Sequence, residues 1–298
     1  MTTIKHSLLA AAALLTLTVG SDAAVIITAE TPGSSSAPSL NQHDVIALVG
    51  NKPAAVTDWH SLRQDPAGLE LWILIDDGTN SQIGVQFNDI RDFIRQQPNQ
   101  IKVGVGYLRN GTVQAVQKPT IDHEAAVKSI RLPTAIPGIS ASPYIALADF
   151  LHKLPKTPQP REVILISSGI DPYYGPGPEN PYLMNAIHDA QKAGIPVNTV
   201  YFSSAGFAGH RNWLIDWGQN DLSELSSETG GRFYWEGDRN PVAFKPFFED
   251  LNHRISGQYL LSLDIPPSRS GSERLQLKTE AAGVKLVGPS EIHADHSK

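Results

Sequence analysis

The sequence predicts an α/β protein. Its expected core is a Rossmann-like, mostly parallel central sheet with helices on both faces and one antiparallel edge strand, joined by a small β-extension built from N- and C-terminal strands. Three observations lead there. From residue 70 onward, apolar runs of strand length alternate with segments of helical length, an arrangement that forces crossover connections and parallel pairing. The runs Leu71-Trp72-Ile73-Leu74-Ile75 and Val163-Ile164-Leu165-Ile166 are apolar at every position, as strands covered on both faces are. Beyond residue 257 the alternation stops, and short strand-like runs separated by Gly, Ser and Pro take over.

Taken in order, Asp44–Val49 and Ala54–Trp59 read as a hairpin closed by Gly50-Asn51-Lys52-Pro53. The central strand 71–75 is followed by a helix over about 84–96, with Val85, Ile90, Phe93 and Ile94 on one face. Strands 101–108 and 112–117 meet through Asn110-Gly111, a pair suited to a tight antiparallel turn. Asp122 caps a short helix, and Ser142-Pro143 opens another through about His152. A strand over 161–167 precedes a helix over 183–192 that Gly194 closes. Next come a strand over 196–202, a helix ending at Thr229-Gly230-Gly231, an aromatic strand 232–235 and a helix over about 241–255. The trailing strands are expected at 258–265, 274–279 and 284–287.

Composition narrows the function. The chain has 298 residues, 41% hydrophobic and 18% charged, within the range of globular proteins. A formal net charge of -6 gives no general attraction to nucleic acid, which is not expected as a partner. The absence of cysteine excludes disulfides, zinc-thiolate sites and thiol nucleophiles. Lys5 and His6 precede an apolar run from Leu8 to Val19, too short to span a bilayer, and Ser21-Asp22-Ala23 offers the small residues a signal peptidase needs. The expectation is cleavage after Ala23, no transmembrane segment in the mature chain, and a periplasmic or secreted location. Ser, Pro and Thr over 24–42 read as a flexible linker.

Ligands of open parallel sheets bind at the carboxyl ends of the strands. There the sequence places Asp76-Asp77-Gly78-Thr79-Asn80-Ser81, Ser140-Ala141-Ser142-Pro143 and Ser167-Ser168-Gly169-Ile170-Asp171. Carboxylates and hydroxyls on converging loops are the donors a hard cation such as Mg2+ or Mn2+ takes.

These loops, with the segment Leu222–Gly231 ending in Thr-Gly-Gly and the trailing Ser256–Leu261, resemble the von Willebrand factor A (VWA) family, and within it an exported bacterial group recognised in acidobacteria. The resemblance runs from about residue 44 to 293. Together with the signal and linker readings above, it divides the chain into 1–23 (signal peptide), 24–42 (linker), 43–69 (hairpin), 70–256 (VWA-like) and 257–298 (β-extension and tail). It also implies a metal-ion-dependent adhesion site drawn from Asp76, Asp77, Thr79, Ser81, Ser142 and Asp171, and a non-enzymatic role in protein-protein interaction. An alternative is a metal-independent structural component of the cell envelope, with a hydrolase behind both.

Two departures from the family pattern mark the expected site as degenerate. If Asp76 leads the first loop, Gly78 and Asn80 replace the two serines; if Asp77 leads, Thr79 and Ser81 keep both hydroxyls. At the third loop the family's aspartate is Ser168, leaving Asp171 as the nearby substitute.

The remaining motifs carry less. No Gly-x-Ser-x-Gly marks a hydrolase nucleophile, and Gly104-Val105-Gly106 sits inside a strand, where close packing accounts for it. His293 and His296 stand in a tail expected to fray. The Pro-stiffened loop 171–178 offers aromatic contact, whereas Trp213 and Trp217, four apart on a helix, are expected to face the core.

Overall fold

The computed structural model describes residues 21–34, 36–63, 65, 68–134, 142–174, 177, 179–204, 212–265 and 271–293. Residues 1–20 of the expected signal segment 1–23, and with them the apolar run 8–19, lie outside the described residues, as does His296.

The chain opens with β1 (Ser21–Glu30), β2 (Val45–Val49) and β3 (Lys52–Ser61). Then β4 (Glu70–Asp76), α1 (Phe87–Arg95), β5 (Lys102–Arg109) and β6 (Thr112–Thr120) begin the crossover region. It continues through α2 (His123–Lys128), α3 (Pro143–Lys153), β7 (Arg161–Ser167) and α4 (Pro181–Ala193). β8 (Val197–Tyr201), α5 (Asn212–Thr229), β9 (Phe233–Tyr234) and α6 (Lys245–Ser256) complete it. Local chemistry sets several boundaries. Ser142 accepts the N–H groups of Tyr144 and Ile145 with Pro143 at the first turn, and Asn180 caps α4 in the same way before Pro181. Gly194 ends α4 at φ 65°, a conformation open to glycine.

One sheet has the order β6-β5-β4-β7-β8-β9. β5, β4, β7, β8 and β9 pair in parallel, while β6 is antiparallel to β5. Along β4 the side chains divide: Leu71, Ile73 and Ile75 pack with α1, α2 and α6 on one face, and Trp72 and Leu74 pack with α3, α4 and α5 on the other. This two-sided burial is why the strand is apolar throughout. Gly104 lets the Trp72 ring approach, since a Cβ there would sit 2.7 Å from it.

The second sheet corrects two expectations. β10 (Gln258–Ile265), β11 (Ser272–Thr279), β12 (Lys285–Val287) and β13 (Glu291–His293) join the three N-terminal strands in one seven-stranded antiparallel sheet of order β12-β1-β10-β3-β2-β11-β13. It is larger than the small extension expected, and it answers the open question of the terminal strands: those of 43–69 and of 257–298 pair in one sheet. The stretch 24–42 is not a linker throughout: β1 lies between β10 and β12, and Val25, Ile26 and Ile27 are no more than 2% exposed. Val25 and Ile27 face the core of this sheet, while Ile26 packs into that of the parallel sheet. The turn chemistry is confined to the segment after Glu30, and averaging composition over nineteen residues concealed the short β-branched run ahead of it. The expected cleavage point after Ala23 falls inside β1. At the other end the tail does not fray before His293, which closes β13 and packs its ring edge-on against His188 at 4.6 Å.

Candidate functional site at the carboxyl edge

Outward from β4 and β7 the strand order runs in opposite directions, so their carboxyl ends flank the crevice where such sheets bind ligands. β4 delivers Asp76 and Asp77 there, and β7 delivers Ser167 and Ser168. All four are nearly or fully buried.

Asp77, 0% exposed, is spent on the protein itself. Its Oδ1 accepts from Arg131 Nη1 at 2.8 Å and from the Thr134 N–H at 2.9 Å; its Oδ2 accepts from the Thr134 hydroxyl at 3.2 Å and lies 3.7 Å from Arg109 Nη1. Arg131 is fixed in turn, its guanidinium 3.8 Å from the centre of the Tyr107 ring, whose hydroxyl bonds the Arg131 backbone. Burial alone would raise the Asp77 carboxyl, but the Arg131 and Thr134 bonds outweigh it and hold it below the ordinary carboxylate range. The aspartate thus clamps the segment after α2 to the end of β4.

Asp76 is held differently. Oδ1 accepts the Gly78 N–H at 2.8 Å and Oδ2 accepts the Ser167 hydroxyl at 2.8 Å. Burial pushes its carboxyl up to about 6 against the lowering effect of those bonds, with a small further rise from neighbouring Asp77. Thr79 is buried and donates its hydroxyl to the Asp76 carbonyl at 2.8 Å, whereas Ser81 is exposed at the start of a 3-10 turn capped by Asn80. The loop is tied across the edge by the Asn80 N–H to Ser203 carbonyl bond at 2.9 Å and a bridge between Thr79 and Ser204.

The third group gathers on Asp171. Ser142 donates its hydroxyl at 2.5 Å, the Tyr173 and Tyr174 N–H groups donate at 2.9 and 3.2 Å, and Asn180 Nδ2 donates at 3.3 Å. The same Asn180 nitrogen reaches Asp221 of α5 at 3.2 Å. Burial, with Glu224 and Asp171 nearby, pushes Asp221 up to about 6 despite that bond.

The expected metal set is therefore divided. Asp77, Thr79 and Ser81 do not converge; Asp76 bonds Ser167 rather than Ser142; Asp171 is held by Ser142 and by the N–H groups that follow it. The residues present do not fit a hard divalent ion, which needs converging oxygen atoms. Around Asp77 the groups pointing inward are N–H and O–H donors and a guanidinium, and Gly78 offers Asp76 an N–H. Among the described residues no group of three or more His, Asp or Glu is arranged to hold a metal ion. Ser140 and Ala141 lie outside the described residues.

Sequence reading missed Arg109, Arg131, Thr134, Asn180 and Asp221. Arg109 was legible only as part of a turn, and Arg131 follows a short helix with no local pattern to mark it. Their signal is long-range charge pairing with Asp77, which spacing does not encode.

Above these networks lies an apolar rim. Exposed large apolar side chains at this edge are Val85, Leu132, Tyr173, Tyr174, Met184, Trp213, Trp235 and Val242, drawn from the loops and first helical turns at the strands' carboxyl ends. Among the described residues only Ile46, Val116 and Ile121 are comparable elsewhere. Tyr173 is 65% and Trp235 51% exposed. Trp213, expected in the core, faces outward at 45%, while its neighbour Leu214 in the same turn of α5 is the one that turns inward, at 8%. Phe207 and positions 175, 176 and 178 of the aromatic loop lie outside the described residues.

The class of protein defined so far is a doubly wound α/β fold with its functional loops at the switch point. No family model and no curated protein matches the chain. Among solved structures it is similar to an aerotolerance-related membrane protein from Bacteroides fragilis NCTC 9343, at 16% identity and TM-score 0.45, over 63% of this chain and 98% of that one. It is also similar to a von Willebrand factor type A protein from Catenulispora acidiphila, at 12% identity and TM-score 0.44, over 92% and 74%. A third is proximal thread matrix protein 1 from the mussel byssus, with a zinc-occupied MIDAS motif, at 13% identity and TM-score 0.42, over 66% of this chain but 48% of that one. Similarity of this degree assigns no role to any residue, so function is read from the chain's own geometry.

Proposed function

We propose that the chain is a VWA-type, non-enzymatic binding module, exported from a bacterial cell, that recognises a partner protein through the carboxyl edge of its parallel sheet without a metal ion. The observation that carries this reading is the concentration of exposed aromatic side chains there, with Tyr173, Tyr174, Trp213 and Trp235 above a rigid polar base. Tyr and Trp are enriched at the centres of protein interfaces because they present large, stiff, partly polar area. The base supports the metal-free version: Arg131 and Arg109 supply the positive charge that balances Asp77, and the Gly78 N–H and the Ser167 hydroxyl occupy the two oxygens of Asp76.

Capture of partners from an envelope extract tests this. Recovery in EDTA should equal recovery in magnesium, and Tyr173→Ser with Trp235→Ser should abolish it while leaving the melting temperature unchanged. Recovery that requires magnesium or manganese would return the site to the adhesion type. Recovery unaffected by the double substitution would favour the structural envelope role. Export is tested by N-terminal sequencing of the cell-fractionated protein, which should begin at Ala24 in the periplasm or medium.

A further inference from the structure

At the amino edge, away from the aromatic loops, a cavity of about 470 Å3 lies where the two sheets meet. Its walls come from α5, the start of β9, α6, β11 and β12 with the turn after it. They are held together by backbone contact: a Cβ on Gly230 would lie 2.7 Å from the Gly288 carbonyl carbon, and the Ser290 N–H donates to the Glu228 carbonyl at 3.0 Å. The cavity is an open groove rather than a closed chamber, with a volume in the range of small-molecule sites.

The lining has two characters. Every charged side chain in it is a cation: Arg232, Arg254 and Lys285. Arg254 is 3% exposed and paired with Glu30 behind the wall; Arg232 shares Glu30, at 2.8 Å, and lies 3.5 Å from Asp250. Neither Glu30 nor Asp250 lines the cavity, and Glu228 is turned onto the Ser290 hydroxyl. Lys285 has no ion-pair partner among the described residues. Ser223 and Ser227 stand on the exposed side of α5, the Ser227 hydroxyl donating to the Glu224 carbonyl at 3.1 Å. The apolar part is chiefly Leu275, Leu277, Leu286 and Val287, with Phe233 and Pro289.

We propose that this cavity binds a small amphiphilic carboxylate. Its head group would be held by Arg232 and Lys285, with the Ser223 hydroxyl adding a hydrogen bond, and its alkyl body would lie on the leucine and valine wall. Guanidinium and ammonium donors favour a carboxylate over a neutral hydroxyl, and the aliphatic wall favours a chain over acetate. Nothing in this site depends on the carboxyl-edge reading, and either can fail alone.

Calorimetric titration of the full chain with sodium octanoate, 1-octanol and sodium acetate tests it. Octanoate should bind, octanol at least tenfold more weakly, and acetate not measurably. Lys285→Met, an exposed position, should weaken octanoate at least tenfold, and Val287→Phe, which fills the cavity, should abolish binding. Folding of both variants is checked by thermal melting. Absence of octanoate binding, equal binding of octanol, or undiminished binding by a folded Val287→Phe protein would each overturn the proposal.

Discussion

Glu162 should make this protein less stable as the pH rises through neutrality, and Glu162→Gln should remove that loss. The residue sits in β7, 1% exposed, where its oxygens accept from Asn198 Nδ2 at 2.6 Å and from Gln258 Nε2 at 2.9 Å. Burial pushes its carboxyl from 4.5 up to about 7, although both amide bonds act to lower it. Because the folded value is raised, the folded state favours the proton: the contribution to stability is complete below about 4.5 and is lost as pH rises through about 7. A rise of that size corresponds to about 3 kcal/mol at pH 8. Glutamine keeps one oxygen for Asn198, and its new N–H can be accepted by Gln258 Oε1, which is buried without a hydrogen bond, once that amide turns over. For a chain of this size Glu162→Gln should raise the melting temperature by roughly 5–10 °C at pH 8. At pH 5, where the wild-type group is protonated, the difference should shrink toward zero. Calorimetry at both values decides it. A difference independent of pH, or a Glu162→Gln protein less stable at pH 8, would refute the reasoning.

Other substitutions test other parts of the structure. Arg131→Met leaves the buried Asp77 without its main partner and should cost about 3 kcal/mol in urea unfolding at pH 7. Since the Asp77 carboxyl is depressed in the folded state, this loss should fade as pH falls below about 4. Ile27→Ala should cost about 2–5 kcal/mol if β1 is a core strand, and almost nothing if residues 24–42 were a linker. Gly169→Ala should prevent stable folding, because φ is 70° there and a Cβ would stand 2.1 Å from the Gly218 carbonyl oxygen; soluble yield and circular dichroism report it.

How much of this was legible in the sequence follows from the range of the interactions involved. β4 and β7 announce themselves because a strand buried on both faces has to be apolar at consecutive positions. The caps Ser142 and Asn180 and the closing Gly194 are local chemistry, and of these Ser142 and Gly194 were read in place. The antiparallel sheet was only partly legible, since β1 pairs with β10, and β2 with β11, across more than two hundred residues, and no local pattern specifies such partners. At the carboxyl edge, Asp76 and Asp77 could be found from their position after an apolar run. What they do could not be read, because it depends on Ser167 and Arg131, which arrive from other elements. The exposed orientation of Trp213 likewise depends on which face of α5 meets the sheet.

The central claim is that a partner is recognised at the aromatic carboxyl edge without a metal ion. A photo-crosslinking residue placed at Tyr173, with a control at Val116 on the edge strand β6, tests it most directly in cells and in extracts containing EDTA. The account predicts a discrete adduct from position 173 that persists in EDTA, and none from position 116. An adduct that forms at 173 only with added magnesium, or equally at both positions, would contradict it.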